Sequence, residues 1–285
     1  MNMDTAIPIT AASVFVALFL LERFLPLRQQ TRSLWHRLFV NLVMTGLAFL
    51  VAAFLVRPGI YWGLGTEASQ IGLLEFTSLP VWVELALGFL LLDLSFYYWH
   101  LLNHRVGFLW RFHNVHHIDP DLDVSTAFRF HFGEMMLSAI FRVLQITLIG
   151  VSLQTYLLFE LAFTANTIFH HSNLRLPIYI ERWLNLVLVT PRMHGIHHSQ
   201  VKQETNSNFS VVLPWWDSLH RSLRLNVPQD RIKIGVPAYT RPEDNQLWNT
   251  LVMPFCHQRD YWNSQAEQTA DHPPSLVLDE TTLAE

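Results

Sequence analysis

Leu38–Val56 runs for 19 positions without a charged residue. A helix rising 1.5 Å per residue needs about 20 such positions to cross the ~30 Å hydrocarbon layer, where each backbone polar group must find its partner within the segment. Two further apolar blocks, Ile7–Leu21 and Val81–Trp99, are of similar length, the latter carrying Glu84 and Asp93. Met135–Phe169 is long enough for two helices with a turn near Gly150, Val151 and Ser152. Arg142 and Gln145 in its first half leave a shallow or protein-buried hairpin open. The apolar residues are gathered in blocks rather than spread at amphipathic spacing, which separates a membrane protein from an apolar soluble one.

These blocks predict an all-α integral membrane bundle of about four or five helices, near residues 7–25, 38–56, 81–99, 135–150 and 152–170. Charged residues are 15% of the 285, against ~25% in an average soluble domain, too few to cover an ordinary globular surface. The first block lacks the cationic start and small-residue cleavage site of a signal peptide, so it is expected to be retained. Arg23, Arg28, Arg32 and Arg37 follow it, whereas 57–80 holds Arg57 against Glu67 and Glu75. By the positive-inside rule the first connection is cytoplasmic, and threading onward brings His100 and the later histidines to that same side. Residues 1–262 read as one domain. The acidic segment 263–285, with Pro273 and Pro274, reads as a disordered tail.

A net charge of −4 leaves no cationic excess for a nucleic-acid footprint, and one Cys excludes disulfide scaffolds and cysteine-rich metal sites. Histidine is the unusual residue: 15 in the chain, twelve of them between His100 and His220. His100 and His104 stand at i, i+4. His113, His116 and His117, and later His194, His197 and His198, each read HxxHH, a spacing that puts all three imidazoles on one helical face. Neutral imidazole is the commonest protein ligand for Zn, Fe and Cu, and eight imidazoles exceed the four of a structural zinc site, so two ions are implied. His36, His220, His257 and His272 stand alone and read as surface or hydrogen-bonded residues. A histidine-rich helical cap at the cytoplasmic edge of the bundle would carry the site.

Asp93 lies at i−7 from His100 and is expected to accept a hydrogen bond from a ligand N–H, with helix-to-helix bonding as the alternative. Asn206 and Asn208, beyond the last HxxHH, could serve similarly. Arg111, Arg129 and Arg192 flank the boxes and would bind carboxylates or face lipid phosphates.

The strings DLSFYYWHLLNH, RFHNVHH and RMHGIHHS, the first two separated by a short gap, resemble the membrane fatty acid hydroxylase and sterol desaturase superfamily over roughly 81–224. The resemblance implies a non-haem diiron centre (two Fe ions) near the cytoplasmic face that uses O2 to hydroxylate or desaturate a C–H bond of a membrane lipid or sterol. It also suggests two more ligands, His131 in RFHFGE and His171 in FHHSN, although helical spacing from Asn166 would favour His170 over His171. The ten ligands would then be His100, His104, His113, His116, His117, His131, His171, His194, His197 and His198. No flavin, nicotinamide or haem segment is visible, so electrons are expected from an external donor such as cytochrome b5, a ferredoxin or another reductase. The residues also leave open a non-redox metal protein, such as a zinc-dependent lipid hydrolase or an inactive scaffold, although no GxSxG nucleophile motif is present. The absence of a C-terminal retention signal favours a bacterial inner membrane over the endoplasmic reticulum.

Overall fold

A computed structural model describes residues 3–65 and 72–262; the acidic segment expected to be disordered lies outside the described residues. Among the described residues there are twelve α-helices: α1 Met3–Phe24, α2 Leu34–Val51, α3 Arg57–Gly65, α4 Val81–Arg105, α5 Gly107–His117, α6 Phe132–Ile149, α7 Leu153–His171, α8 Ile178–Leu184, α9 Pro191–His197, α10 Lys202–Thr205, α11 Trp215–Leu219 and α12 Leu247–Val252. Among the described residues there is no sheet, only isolated bridges between Pro26 and Leu174 and between Ser199 and Ile234.

Four helical stretches among the described residues are long and apolar enough to cross a membrane: Ala6–Phe24, Leu34–Gly65, Val81–Arg105 and Phe132–Ile149. Their outer faces carry exposed Leu42, Phe54, Trp82 and Leu148, a coat that suits lipid and would be a liability in water. The chain is thus an all-α integral membrane protein. α7, at 19 residues, matches the shorter of these stretches in length but carries Glu160, Thr164, Asn166 and Thr167, and Asn166 and Thr167 are buried.

The second helix runs further than the charge-free block suggested. The expected helix 38–56 and the expected connection from Arg57 are replaced by one helical stretch, Leu34–Gly65, with a π-helical turn at Ala52–Val56. Pro58 is the physical reason: it supplies no N–H to the turn before it and its ring crowds the carbonyl of Phe54. A widened turn absorbs both effects without ending the helix. The α6–α7 turn falls where the sequence placed it. Gly150 adopts the left-handed conformation (φ 72°) that closes α6, and the Ser152 side chain caps α7 by accepting from Thr155 N. Gly72 abuts this turn so closely that a Cβ there would lie 2.2 Å from Gly150 Cα.

α1 packs along α7, α3 along α6, and α4 touches α5, α6 and α7. The membrane-side core is built from Leu92, Phe96, Ile146 and Phe159, and a second core at the histidine end from Val40, Met44, Trp110, Val115 and Tyr239. At 25 residues α4 is about 37 Å long, longer than the hydrocarbon layer is thick, so its last turns deliver His100 and His104 to the bundle's end.

That end is fastened by a buried ionic network that follows the second histidine box. Arg37, 2% exposed, donates Nε to Asp119 Oδ1 (2.7 Å), Nη2 to Asp119 Oδ2 (3.0 Å) and Nη1 to Asp123 Oδ2 (2.6 Å), and also bonds the Asp121 carbonyl. Asp121 caps the 31–32 backbone through Thr31 N (2.7 Å) and Arg32 N (2.9 Å). Burial pushes the Asp119 carboxyl up, but the Arg37 and Arg129 guanidiniums outweigh it and hold the group at about 2. Glu22 accepts from Val124 N (3.2 Å) and Asn173 N (2.8 Å), tying the end of α1 to the same region.

Candidate metal centre

Two groups of imidazoles converge below the end of α4. The first is His100, His104, His113, His117 and His197; the second is His116, His171, His194 and His198. Within each group one nitrogen per ring lies within 4.8 Å of the others. The HxxHH spacing has a geometric meaning here. In α5 the i, i+4 pair, His113 and His117, enters the first group and His116 enters the second. In α9 the pattern is reversed: His194 and the adjoining His198 enter the second group and His197 the first. Each HxxHH box therefore serves both groups, while His100 and His104 serve the first alone, and the groups are neighbours, with the His117 and His198 rings stacked at 4.3 Å.

In the second group, Nε2 of His171 lies 3.0 Å from Nε2 of His116 and 3.0 Å from that of His194, and Nε2 of His194 is 3.1 Å from that of His198. Nitrogens bound to one ion at about 2.0–2.1 Å stand roughly 2.9–3.4 Å apart, so this spacing suits a shared cation. In the first group the buried Nε2 atoms of His104, His113, His117 and His197 have no hydrogen-bond partner. Buried imidazole nitrogens without a partner are costly unless a metal takes the lone pair. The donor set thus fits two ions in adjacent sites.

The far side of several rings is engaged in a way that leaves Nε2 free. His171 Nδ1 donates to Thr167 O (2.8 Å), His100 Nδ1 to Phe209 O (2.8 Å), His197 Nδ1 to Ser207 O (2.7 Å) and His113 Nδ1 to Glu134 Oε1 (2.8 Å). Each of these bonds puts the proton on Nδ1 and aims the lone pair of Nε2 at the centre, the usual way in which outer partners set a ligand's tautomer and basicity. The 207–209 segment that supplies two of the carbonyls is itself held by Asp217, which accepts from Phe209 N (2.8 Å) and Ser210 N (2.9 Å).

Several sequence expectations change at this point. Asp93 touches no histidine; its oxygens accept from Val212 N (3.3 Å), Leu213 N (3.0 Å) and Trp216 Nε1 (2.8 Å), so it secures the chain beyond the carbonyls one step removed from the rings. Asn206 donates to Lys202 O and reaches no ligand. Asn208, with φ 55°, bonds Met193 O and both backbone groups of Arg224, pinning the segment to α9 rather than bonding an imidazole. His131 stands outside both groups: Nδ1 caps α6 by accepting from Gly133 N (3.0 Å) and Nε2 donates to Leu251 O (3.0 Å), so neither nitrogen is left for a metal. Between His170 and His171, the ring that enters a group is His171, while His170 turns toward Asn166.

Arg192 binds the carboxylate of Glu181 (2.6 Å), Arg129 is buried on Val115 O, Asn41 and Asn245, and Arg111 donates to Cys256 O. Glu134 was not singled out by spacing, because it lies 21 residues from His113 and only the fold of 118–131 brings the two together.

Burial in an apolar surround pushes the imidazoles of His116, His117, His194, His197 and His198 well below the usual histidine value, and neighbouring rings add to the effect. They stay neutral at physiological pH, ready to bind metal without first losing protons. The sign for stability follows. Below about pH 6.5 the unfolded chain takes up protons that these folded rings refuse, so metal-free protein is fully stable above that pH and loses stability as the pH falls toward the depressed values. Metal-stripped protein in detergent is expected to melt at a lower temperature at pH 5.5 than at pH 7.5; equal melting temperatures would contradict this burial.

A cavity of about 640 Å³ opens from the histidines into the membrane region. His100 and His113 of one group and His116, His171 and His194 of the other reach it, and its walls are Phe15, Phe49, Phe96 and Phe163 with small residues of α1 and α2.

The fatty acid hydroxylase family model matches residues 85–222, the stretch that carries all nine grouped histidines. The ornithine lipid hydroxylase of Rhizobium tropici is 31% identical over 205 residues, covering 72% of this chain and 59% of that protein. Human cholesterol 25-hydroxylase is 30% identical over 138 residues (47% and 49%), and human alkylglycerol monooxygenase 30% over 137 residues (46% and 28%). The chain thus spans between about a quarter and three fifths of the length of these curated relatives. No solved structure matches. With its three histidine boxes folded into two imidazole groups within the matched segment, the chain belongs to the fatty acid hydroxylase family.

Proposed function

We propose that this protein is a membrane-bound oxidoreductase that holds two iron ions and uses O2 to oxidise a C–H bond of a lipid or sterol. The observation that carries the reading is the cavity, which joins both imidazole groups to an apolar space at the depth of the membrane helices. Iron in these sites would supply the activation of O2 and the attack on an unactivated C–H bond. The chain's own residues do the rest. Nine imidazoles hold the ions, Thr167, Ser207, Phe209 and Glu134 orient four of those rings, and the aromatic walls exclude water and direct one carbon toward the metals. The relatives named for lipid, sterol and ether-lipid oxidation support this substrate class.

The electrons come from a separate donor, a cytochrome b5, a ferredoxin or another reductase. The arginines at positions 23, 28, 32 and 37 support a cytoplasmic location for the site. Imidazole alone also suits zinc, and the lipid products decide between the two chemistries. Lipid extracts from cells producing the wild type are expected to contain a species heavier by one oxygen (hydroxylation) or lighter by two hydrogens (desaturation), absent with His197→Ala. Identical extracts in the presence of a functional reductase would favour the non-redox metal protein.

A further inference from the structure

Away from the histidines the cavity wall is apolar but for the hydroxyls of Thr45, Ser138 and Thr164 and one charged pair. In that pair Arg142 of α6 donates Nη1 to Glu160 Oε2 of α7 at 2.7 Å, and Tyr156 adds its hydroxyl to the same oxygen at 3.4 Å. The guanidinium lies over the rings of Phe96 (4.6 Å to the centroid) and Phe163 (5.2 Å). Both charged residues line the cavity, and the Glu160 side chain retains 24% exposure although it lies within the helical hairpin.

An ion pair at membrane depth is costly, and it is usually retained because something uses it. A pair that served only to join α6 to α7 would gain nothing from facing an open apolar space. In a pocket of this kind, a few polar groups on an apolar wall fix the orientation of a ligand. A planar guanidinium carries five N–H donors, and a carboxylate has two oxygens with about four acceptor sites. The bonds described above use only part of either.

We propose that the Arg142–Glu160 pair is a binding subsite for a hydroxyl group of the lipid, anchoring its polar end while the chain extends to the metal groups. The proposal rests on reading the cavity as a lipid pocket. The charge balance selects the ligand: Glu160 disfavours an anionic head and Arg142 a cationic one, whereas a neutral hydroxyl accepts from the guanidinium and donates to the carboxylate. The fold also sets a distance. Arg142 lies eight residues beyond Glu134, the partner of His113, or about 12 Å along α6. Glu160 lies eleven residues before His171, or about 16 Å along α7. An extended chain with bonds of about 1.5 Å needs roughly ten carbon atoms to cover 12 Å, so the carbon presented to the metals would lie about that far from the hydroxyl.

The test compares binding of radiolabelled hexadecan-1-ol and hexadecane to the metal-loaded protein in phosphatidylcholine nanodiscs, after subtraction of partition into empty discs. The wild type is expected to prefer the alcohol at least tenfold. The paired variant Arg142→Leu/Glu160→Leu, which removes both charges together and leaves neither stranded, is expected to bind the two probes alike with unchanged metal content. Equal binding by the wild type, or a preference that survives in the paired variant, overturns the subsite while leaving the lipid pocket standing. A wild type that binds neither probe overturns the pocket reading and the subsite with it. The wild-type comparison stands by itself if the variant does not fold.

Discussion

Arg37→Ala is expected to destabilise the protein by about 3–5 kcal/mol, the cost of leaving a buried charge without its partner. Stabilities of native domains are only ~5–15 kcal/mol, so this is a large share. The reason lies in the number of groups that this guanidinium satisfies. It spans both oxygens of Asp119, one oxygen of Asp123 and the Asp121 carbonyl, and the two bonded carboxylates are fully buried. Without it, Arg129, 4.0 Å from Asp119, is the nearest remaining cation to that carboxylate. Asp119 stands two residues beyond His117, so loosening this loop is expected to lower metal content as well as melting temperature. Lysine at the same position restores the charge but not the fork that spans two oxygens, and is expected to recover only part of the loss. Thermal unfolding in detergent reads the effect; a melting temperature equal to that of the wild type would contradict the role given to Arg37.

Much of this architecture was legible in the sequence, and its gaps have physical causes. Apolar blocks of bilayer length identified the membrane helices, but the far end of the second was hidden because Pro58 reads as a terminator and only a wide turn lets the helix continue. The two HxxHH boxes and the His100–His104 pair identified eight of the nine grouped histidines, since spacing along a helix is a local property. Spacing could not separate His171 from His170, because at the end of α7 both rings lie beside His194, at 4.2 and 4.1 Å between centroids, and line the same cavity. The rotation of α7 places His170 by Asn166 and turns His171 to the second group.

His131 resembled a ligand by position, yet it stands at the start of a helix whose free N–H groups need an acceptor. The partners of Glu134, Asp217 and Arg37 could not be read from the sequence, where His113, Phe209 and Asp119 stand 21, 8 and 82 residues away. Asp93 was singled out as a costly membrane carboxylate, but its partners are the backbone N–H groups of Val212 and Leu213 and the Trp216 indole, more than a hundred residues away, which no helical wheel displays.

His116→Ala and His197→Ala are each expected to abolish lipid oxidation and to reduce metal content, one from each group. Removing an outer partner of a ligand typically weakens metal binding 10–100-fold, and removing the ligand itself should exceed that. His116 leaves a group of four with three imidazoles, and His197 leaves a group of five with four, so His116→Ala is expected to lose its ion more completely. Neither His116 nor His197 belongs to the Arg37 network or to the apolar cores. Both variants should therefore still insert and purify.

Elemental analysis of these proteins after expression with ample iron tests the central claim most directly. Two irons per chain in the wild type, falling to about one in His116→Ala with a smaller fall in His197→Ala, is the expected result. A wild type holding no metal or a single ion per chain would contradict the two-metal site.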